Sequence, residues 1–170
     1  MMVHYCQTKT GLTDPANTIL FYRLGDFYEM FFEDATLVSK ELELTLTGKD
    51  CGMEERAPMC GIPYHAAEGY INRLVENGHK VAICEQMEDP KQAKGMVKRE
   101  VIRVVTPGTT LIPQGLDETK NNYIMSIVCM EGCFGISTAD ISTGQCLVTE
   151  MDKPRRLVDE ITKFMPAEII

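Results

Sequence analysis

The sequence has 170 residues, of which 44% are hydrophobic and 25% charged, a balance that supports a folded core and excludes a disordered chain. Its 17 Lys and Arg residues are outnumbered by 25 Asp and Glu residues, so the net charge at pH 7 is −8. Proteins that bind nucleic acid mainly by neutralising phosphates need a basic surface, so free-standing electrostatic DNA binding is not expected.

The first predicted unit is a strand, a sharp turn and a helix. Residues Ile19–Leu24 are rich in strand-forming side chains and stop at Gly25-Asp26, a typical turn pair. Beyond the turn, apolar residues recur at the spacing of one helix face. These residues are Phe31, Ala35, Val38 and Leu42.

More strands and a second helix are predicted before residue 105. Leu44–Thr47 predicts a strand, and the aperiodic polar stretch Gly48–Arg56 predicts a surface loop. Met59–Tyr64 leads into a helix with Tyr70, Ile71, Leu74 and Val75 on one side. The next strands are predicted at Val81–Cys84 and Val97–Val105. Strands interleaved with helices indicate an α/β domain with a mixed sheet.

The sequence pattern changes after a polar stretch that contains Pro113 and Gly115. Three consecutive strands joined by short turns predict an antiparallel meander. They are Tyr123–Met130, Cys133–Asp140 and Gln145–Glu150. A helix is predicted from near Pro154, and Ala167–Ile170 predicts one more strand.

This order of elements predicts two domains. We expect a first α/β domain, a polar linker over residues 109–121 and an incomplete second α/β domain after it. The second domain has the opening of a larger α/β fold but not its remaining strands. The sequence is therefore predicted to be the front of a longer protein.

The cysteines and the apolar segments predict where the protein is found. Seven cysteines, no Cys-x-x-Cys pair and no secretory signal indicate a reduced, cytoplasmic protein. Cys129 and Cys133 flank a predicted hairpin turn, where we expect buried free thiols rather than a metal site or a disulfide. No apolar run approaches the roughly 18 residues of a membrane span.

Few residues suggest catalysis, and we expect no catalytic residue and no metal ligand. The glycine spacing of a phosphate-binding loop is absent, and only His4, His65 and His79 are available as bases for a hydrolase. A Mg²⁺-dependent nuclease stays open as an alternative. Its best local match, Glu118-Thr119-Lys120, falls in the predicted linker, where no sheet would fix the carboxylate, so a solvated linker is preferred.

The segment from Phe21 to Phe32 has six aromatics in twelve residues with a Gly-Asp turn in its middle. A Phe at such a turn can project as a wedge that enters the minor groove and unstacks a base step. Aromatics near a strand end more often pack inward. From the residues alone, a core position for Phe27 is the favoured reading, with the wedge as its alternative.

Four stretches, in this order, resemble the N-terminal part of the bacterial MutS family of DNA mismatch repair proteins. They are Phe21–Phe31 (FYRLGDFYEMF), Ala57–Ala66 (APMCGIPYHA), Val81–Gln86 (VAICEQ) and Arg103–Thr109 (RVVTPGT). The resemblance implies a mixed-sheet mismatch-recognition domain over 1–112, a linker over 113–121 and the beginning of an RNase H-like α/β connector domain over 122–170.

The resemblance also implies which residues meet DNA. In the family's Phe-x-Glu motif the Phe stacks on a mispaired or unpaired base from the minor groove, and the Glu hydrogen-bonds to that base. The motif falls here on Phe27 and Glu29. With the resemblance taken into account, the wedge becomes the preferred interpretation of Phe27 in place of a core position. Residues near the DNA would be Leu24, Gly25, Asp26, Lys49, Met59 and Arg99, the last as a contact to the DNA backbone.

The implied partners follow from the same resemblance. They are mismatched double-stranded DNA, a second copy in a full-length homodimer and a MutL-type repair protein at the connector domain. ATP and Mg²⁺ serve the ATPase domain of full-length family members, and no cofactor is expected in this segment. The open alternative to DNA recognition is a protein-interaction or allosteric scaffold within a repair complex.

Physical chemistry supports the implied roles. A probe that must unstack a base step selects sites where pairing is already defective, because deforming them costs less. A Phe ring stacks on any base. A carboxylate in the groove repels ordinary duplex, and this cost is offset only where an exposed base offers a hydrogen-bond donor.

Overall fold

A computed structural model describes residues 1–52, 55–89, 93, 95–110 and 121–170 of the chain. The chain divides into two compact units, Met1–Val105 and Thr106–Ile170. Each unit contains its own mixed sheet, so the predicted α/β class is confirmed. The predicted linker 113–121 lies outside the described residues except for residue 121.

Unit one is a six-stranded sheet with helices on both faces. The strand order is β3-β4-β2-β1-β5-β6, with β1 and β5 parallel and the other neighbours antiparallel. Its elements are α1 (Met2–Thr10), β1 (Thr18–Leu24), β2 (Phe27–Phe31), α2 (Phe32–Glu41), β3 (Thr47–Lys49), β4 (Ala57–Pro63), a 3₁₀ turn (Tyr64–Ala66), α3 (Ala67–Glu76), β5 (Lys80–Gln86) and β6 (Arg99–Val105).

The main departure from the sequence prediction is β2, which lies where turn and helix were expected to adjoin. Tyr28 and Met30 are buried, while Phe27 is exposed and Glu29 is half-buried, the alternation of a strand. The helix then begins abruptly at Phe32, which has a φ of +55°. The aromatic residues hid this alternation of exposed and buried positions in the sequence. The prediction of strand, turn and helix was therefore wrong, because a second strand lies between the turn and the helix.

Three smaller elements also differ from expectation. Helix α1 was not predicted, because Tyr5 is its only buried residue and no apolar stripe marks it. The strand expected at Leu44–Thr47 is β3, three residues further along, and it occupies part of the predicted loop. β4 was not predicted as a strand, since Pro58, Gly61 and Pro63 are residues that usually interrupt one.

One buried carboxylate fastens α1 to the sheet. Asp34 Oδ2 accepts from the hydroxyl of Tyr5 at 3.0 Å and from the backbone N–H of Leu20 at 2.9 Å. Asp34 Oδ1 accepts from Lys9 Nζ at 2.7 Å. Burial, and then the charge of Asp34, hold the pKa of Tyr5 far above its ordinary value, so the phenol remains a donor. The cluster therefore joins α1, β1 and α2 at one point.

Unit two agrees closely with the sequence prediction. The strands β7 (Tyr123–Met130), β8 (Cys133–Asp140) and β9 (Gln145–Met151) form an antiparallel meander, followed by α4 (Pro154–Phe164) and the short β10 (Glu168–Ile169). The sheet order is β10-β7-β8-β9, and β10 pairs with β7 in parallel. Its core consists of Met125, Ile136 and Met151 with Leu157, Ile161 and Phe164 of α4 packed against them.

All seven cysteines are free thiols. Cys60 and Cys84 are buried, and burial raises the pKa of each thiol to about 11. Cys129 is exposed and Cys133 is half-buried, so the expectation of buried thiols at this pair was wrong. Both lie at the turn end of the β7–β8 hairpin, next to Glu131-Gly132. No helix in the described part of the chain is long and apolar enough to cross a membrane.

Candidate nucleic-acid interface

The β1–β2 hairpin places one aromatic ring in solvent. Leu24 pairs with Phe27, which leaves Gly25-Asp26 as a two-residue turn. Gly25 has a φ of +60° at the first central position, which suits glycine and few other residues. Phe27 is the first residue of β2 and is 47% exposed, whereas Phe21 and Phe31 of the same segment are 0% and 1% exposed. The ring of Phe27 thus stands outside the core.

Strand register places Glu29 beside Phe27. Residues two apart in a strand share a face, so Phe27, Glu29 and Phe31 project to the same side of the sheet. Helix α1 covers this side at Phe31, where the Tyr5 ring centroid lies 5.0 Å from that of Phe31. It leaves the Phe27 end uncovered. We call the uncovered part around Phe27, Glu29 and Gly61 the hairpin face.

Most of the predicted contact residues lie on or next to the hairpin face. Leu24 pairs with Phe27, and Met59 of β4 pairs with Phe31. Gly61 pairs with Glu29, and a Cβ built on it would lie 3.5 Å from Glu29 Cγ. Because Gly61 carries no side chain, the Glu29 side chain has room to lie close against β4. Sequence reasoning did not single out Gly61.

An ion pair joins Glu29 to Lys49. Lys49 Nζ lies 2.5 Å from Glu29 Oε2, and the two side chains are 32% and 17% exposed. Lys49 Nζ also lies 5.5 Å from the centroid of the Phe31 ring, within the range of a cation–π contact. The sequence suggested that both residues approach DNA separately, but it contained no sign that they touch each other.

The turn is held by polar groups from neighbouring strands. Gln86 Oε1 accepts from the N–H of Gly25 at 3.2 Å. The N–H of Tyr64 donates to the carbonyl of Asp26 at 3.0 Å. Arg23 Nε donates to the carbonyl of Gly25 at 2.5 Å. Three backbone groups of the turn are therefore fixed from outside it, which limits the motion of the adjoining Phe27 backbone.

The Arg99 side chain supports the turn from inside the protein and is largely shielded from the surface. Arg99 is only 9% exposed. Nε donates to the Arg23 carbonyl at 2.7 Å, Nη1 to the Val97 carbonyl at 2.8 Å and Nη2 to Gln86 Oε1 at 3.2 Å. With its donors engaged inside the protein, Arg99 braces the hairpin from β6. The expected contact of Arg99 with the DNA backbone stays a prediction, and these contacts do not favour it.

A second layer of aromatic and charged groups lies behind the turn. The Arg23 guanidinium carbon lies 3.7 Å from the Tyr64 ring centroid. The Tyr28 hydroxyl donates to Glu85 Oε1. Burial, followed by this bond to Glu85, raises the pKa of Tyr28 to about 12, so the phenol is a neutral donor near pH 7. Gln86, Arg23 and Tyr64 were not predicted, because nothing in their spacing relates them to a turn up to 61 residues away.

In the described part of the chain, no three or more His, Cys, Asp or Glu residues are placed to hold a metal ion. Glu118-Thr119-Lys120, the possible nuclease element, lies outside the described residues. Of the three histidines, His79 pairs with Glu41 at 2.7 Å and His4 contacts the Tyr22 hydroxyl at 2.8 Å. What the hairpin face offers a ligand is an exposed ring and, beside it, a partly exposed carboxylate.

We expect the Gln86 contact to hold the turn in place. Gln86→Leu leaves the Gly25 N–H without its acceptor, so this amide should exchange with deuterium faster, and stability should fall by about 1 kcal/mol. Gln86→Glu keeps an acceptor oxygen and serves as the matched control. Exchange is followed by NMR and stability by urea unfolding. Equal protection of Gly25 in the Leu and Glu variants would contradict the role of Gln86.

Comparison with protein families gives two matches along the chain. Residues 1–113 match the model described as MutS domain I. Residues 122–170 match the model described as MutS domain II. The 170 residues therefore contain MutS domain I and part of domain II and no ATPase domain.

Whole-sequence comparison gives bacterial relatives over the full chain. The protein named DNA mismatch repair protein MutS from Lachnoclostridium phytofermentans is 65% identical over 170 residues, which are 100% of this chain and 18% of that protein. The protein of the same name from Acetivibrio thermocellus is 56% identical over 100% of this chain and 20% of its own length. That from Clostridium botulinum strain 657 is 57% identical, with 100% and 18% covered. The chain spans about a fifth of the length of these curated relatives.

Proposed function

The chain belongs to the MutS family, through domain I and part of domain II, and on that premise we propose that unit one recognises mispaired or unpaired bases by inserting Phe27. The family assigns the chain to DNA mismatch repair. The ring would enter the minor groove and stack on the defective base, while Glu29 hydrogen-bonds to that base. Leu24, Gly25 and Asp26 would hold the ring at the groove.

The exposure of Phe27 is the observation that carries this proposal. Four of the other aromatic side chains in the same segment, Phe21, Tyr22, Tyr28 and Phe31, are at most 7% exposed, yet Phe27 is 47% exposed at the first position after a tight turn. An exposed ring gains by stacking between bases, because stacking removes apolar surface from water. A base gives a flat partner of suitable size. The position of the ring at a hairpin tip lets it reach into a groove without a clash from its own sheet.

Selectivity would come from the DNA. Unstacking and kinking a base step costs roughly a few kcal/mol, and less where pairing is defective. The stacking of one aromatic ring on a base contributes about 1–3 kcal/mol and tolerates any base. The gain from stacking is therefore similar to the cost of unstacking a base step at a mismatch. In correctly paired duplex the cost of unstacking is higher, and the gain from stacking does not offset it. Phe27 therefore needs no reading of base identity to discriminate.

Glu29 would add a second filter. Its carboxylate lies on the hairpin face beside Phe27, and its side chain is 17% exposed. A base displaced by the ring can donate a hydrogen bond to this carboxylate, whereas a paired base has its donors engaged. In matched duplex the carboxylate would lose hydration without gaining a hydrogen bond from a base. This difference favours the mismatch.

The acidic balance of the chain supports a division of labour in the full-length protein. A net charge of −8 gives little sequence-independent affinity for DNA. We assign the non-specific grip, the ATP and Mg²⁺ sites and homodimer formation to the rest of a full-length family protein in the cytoplasm. Unit one would then supply the recognition of the lesion.

Unit two is the place where we expect a MutL-type partner to bind. The sheet side opposite α4 exposes Val128, Met130 and Val148, which are 57%, 74% and 78% exposed. Strand register places them on one side, because Val128 pairs with Gly135 and Gly135 with Glu150. Exposed apolar side chains grouped on one side favour protein contact.

Site-specific photocrosslinking tests the wedge directly. The chain would replace the corresponding residues of the full-length Lachnoclostridium relative, with p-benzoylphenylalanine at position 27. We expect a crosslink to duplex DNA that maps to the mispaired base and its neighbour on the minor-groove side. A chimera with the same group at Leu37, an exposed residue of α2, is the matched control.

The outcome separates insertion from mere proximity. The wedge predicts that the crosslink from position 27 needs the mismatch and is absent with a matched duplex of the same sequence. Equal crosslinking from position 27 to matched and mismatched duplex would overturn the proposal. The Leu37 control should give no lesion-dependent product.

A further inference from the structure

We propose that Lys49 is a positioning and specificity-determining residue for Glu29, and that the Lys49–Glu29 ion pair persists when DNA is bound. In this arrangement Lys49 holds one oxygen of the carboxylate and cancels its charge, while the other oxygen accepts a hydrogen bond from the displaced base. The inference rests on the proposed function, because it concerns how Glu29 meets the base.

The geometry of the sheet supports the pair. Lys49 belongs to β3 and Glu29 to β2, and β4 lies between these two strands. Lys49 pairs with Ala57 of β4, and Glu29 pairs with Gly61. Met59 lies between these two residues of β4 and pairs with Phe31, and the Lys49 ammonium lies 5.5 Å from the centroid of the Phe31 ring. The Lys49 side chain crosses β4 and ends with Nζ 2.5 Å from Glu29 Oε2.

The pair uses one carboxylate oxygen and leaves the other open. The contact of Lys49 is to Oε2. Among the described residues, no hydrogen bond to Glu29 Oε1 is found. The Glu29 side chain lies close against β4 at Gly61 and is 17% exposed, so the carboxylate is still accessible from solvent. A base displaced from its stack therefore has a free acceptor within a fixed carboxylate, which is the preorganised arrangement that favours binding.

Charge explains why the pair would affect specificity. An isolated carboxylate on the hairpin face would repel phosphates of every duplex, including mismatched ones. When Lys49 neutralises the carboxylate, most of this general repulsion is lost, but the carboxylate can still accept a hydrogen bond. Its remaining contribution then differs between duplexes, because only a mismatch offers an exposed donor. The alternative role for Lys49 is a direct contact with a phosphate, which would make it one of the cations that determine salt dependence.

A double-mutant cycle in the full-length chimera distinguishes the two roles. The variants are Lys49→Met, which keeps the apolar stem, Glu29→Gln and the double variant. Affinity for matched and mismatched duplex is measured by fluorescence anisotropy over a range of salt concentrations. Lys40→Met, which removes an exposed lysine of α2, is the matched control.

The pair predicts strong coupling between the two substitutions. Lys49→Met should weaken mismatch binding about tenfold when Glu29 is present, and less than about threefold in the Glu29→Gln background. The slope of log affinity against log salt should stay unchanged, because no phosphate contact is lost. Lys49→Arg should restore most of the affinity. Thermal unfolding of each variant identifies any loss that comes from unfolding.

A phosphate contact predicts the opposite pattern. Lys49→Met would then weaken binding equally in both backgrounds, and the salt slope would fall by about one. That result would overturn the inference, as would a loss from Lys40→Met of equal size. Such an outcome leaves the wedge standing if wild type still prefers mismatched DNA and loses this preference on Phe27→Ala. If wild type shows no preference, the proposed function itself fails.

Discussion

Phe27→Ala should abolish the preference of the full-length chimera for mismatched over matched duplex. The substitution removes a ring whose stacking on a base contributes about 1–3 kcal/mol, so affinity for mismatched DNA should fall about 5- to 150-fold. Binding to matched duplex should change little, because insertion there is already unfavourable. Stability should also change little, since the side chain is 47% exposed.

The measurement is equilibrium binding to two duplexes that differ at one base pair, followed by fluorescence anisotropy. Leu37→Ala truncates another exposed apolar side chain and should leave the preference intact. Thermal unfolding of each variant confirms that the fold is retained. If the alanine variant discriminates as well as wild type, Phe27 is not the wedge, and the exposed ring needs another explanation.

Asp34→Ala should cause the largest loss of stability in unit one. The carboxylate accepts from Tyr5, Lys9 and the backbone of Leu20, and Asp34 is 7% exposed. Its removal leaves a buried phenol and a backbone N–H without acceptors and a partly buried ammonium without its counter-charge. Breaking such a pair from one side typically costs about 3–5 kcal/mol.

Urea unfolding of the chain, followed by far-UV circular dichroism, measures this loss. Glu33→Ala is the matched control, because Glu33 is the preceding residue of α2 and is exposed. The control should cost less than about 1 kcal/mol. Equal losses for the two variants would show that the Asp34 cluster is not what holds α1 on the sheet.

Unit two illustrates what local sequence signals can predict. Its strands are separated by turns at Gly132 and Gly144, whose φ values are +81° and +73°. Glycine marks such turns because few other residues adopt a positive φ. The strands β7, β8 and β9 pair in chain order, so local turn signals were enough to predict the meander. The helix after Pro154 followed from the same kind of reasoning.

The hairpin face illustrates what those signals cannot predict. The turn at Gly25-Asp26 was predicted, but β2 was concealed because its core and surface positions are both occupied by aromatics. The Lys49–Glu29 pair depends on β4 lying between two strands, which no spacing along the chain reveals. Gln86 meets Gly25 only because β1 and β5 are neighbours in the sheet. The resemblance to a family predicts the roles of Phe27 and Glu29, whereas the residues that support these two could be found only in the three-dimensional structure.

The anchored turn has a consequence for the kinetics of recognition. Gln86, Tyr64 and Arg23 immobilise its backbone before any ligand arrives. A loop that had to be ordered on binding would lose conformational entropy at that moment. Because the turn is already ordered, the rate at which the Phe27 ring is inserted would be set by how often the DNA base pairs open spontaneously. Residence times on different lesions should therefore rank with the spontaneous breathing of the duplex at each lesion.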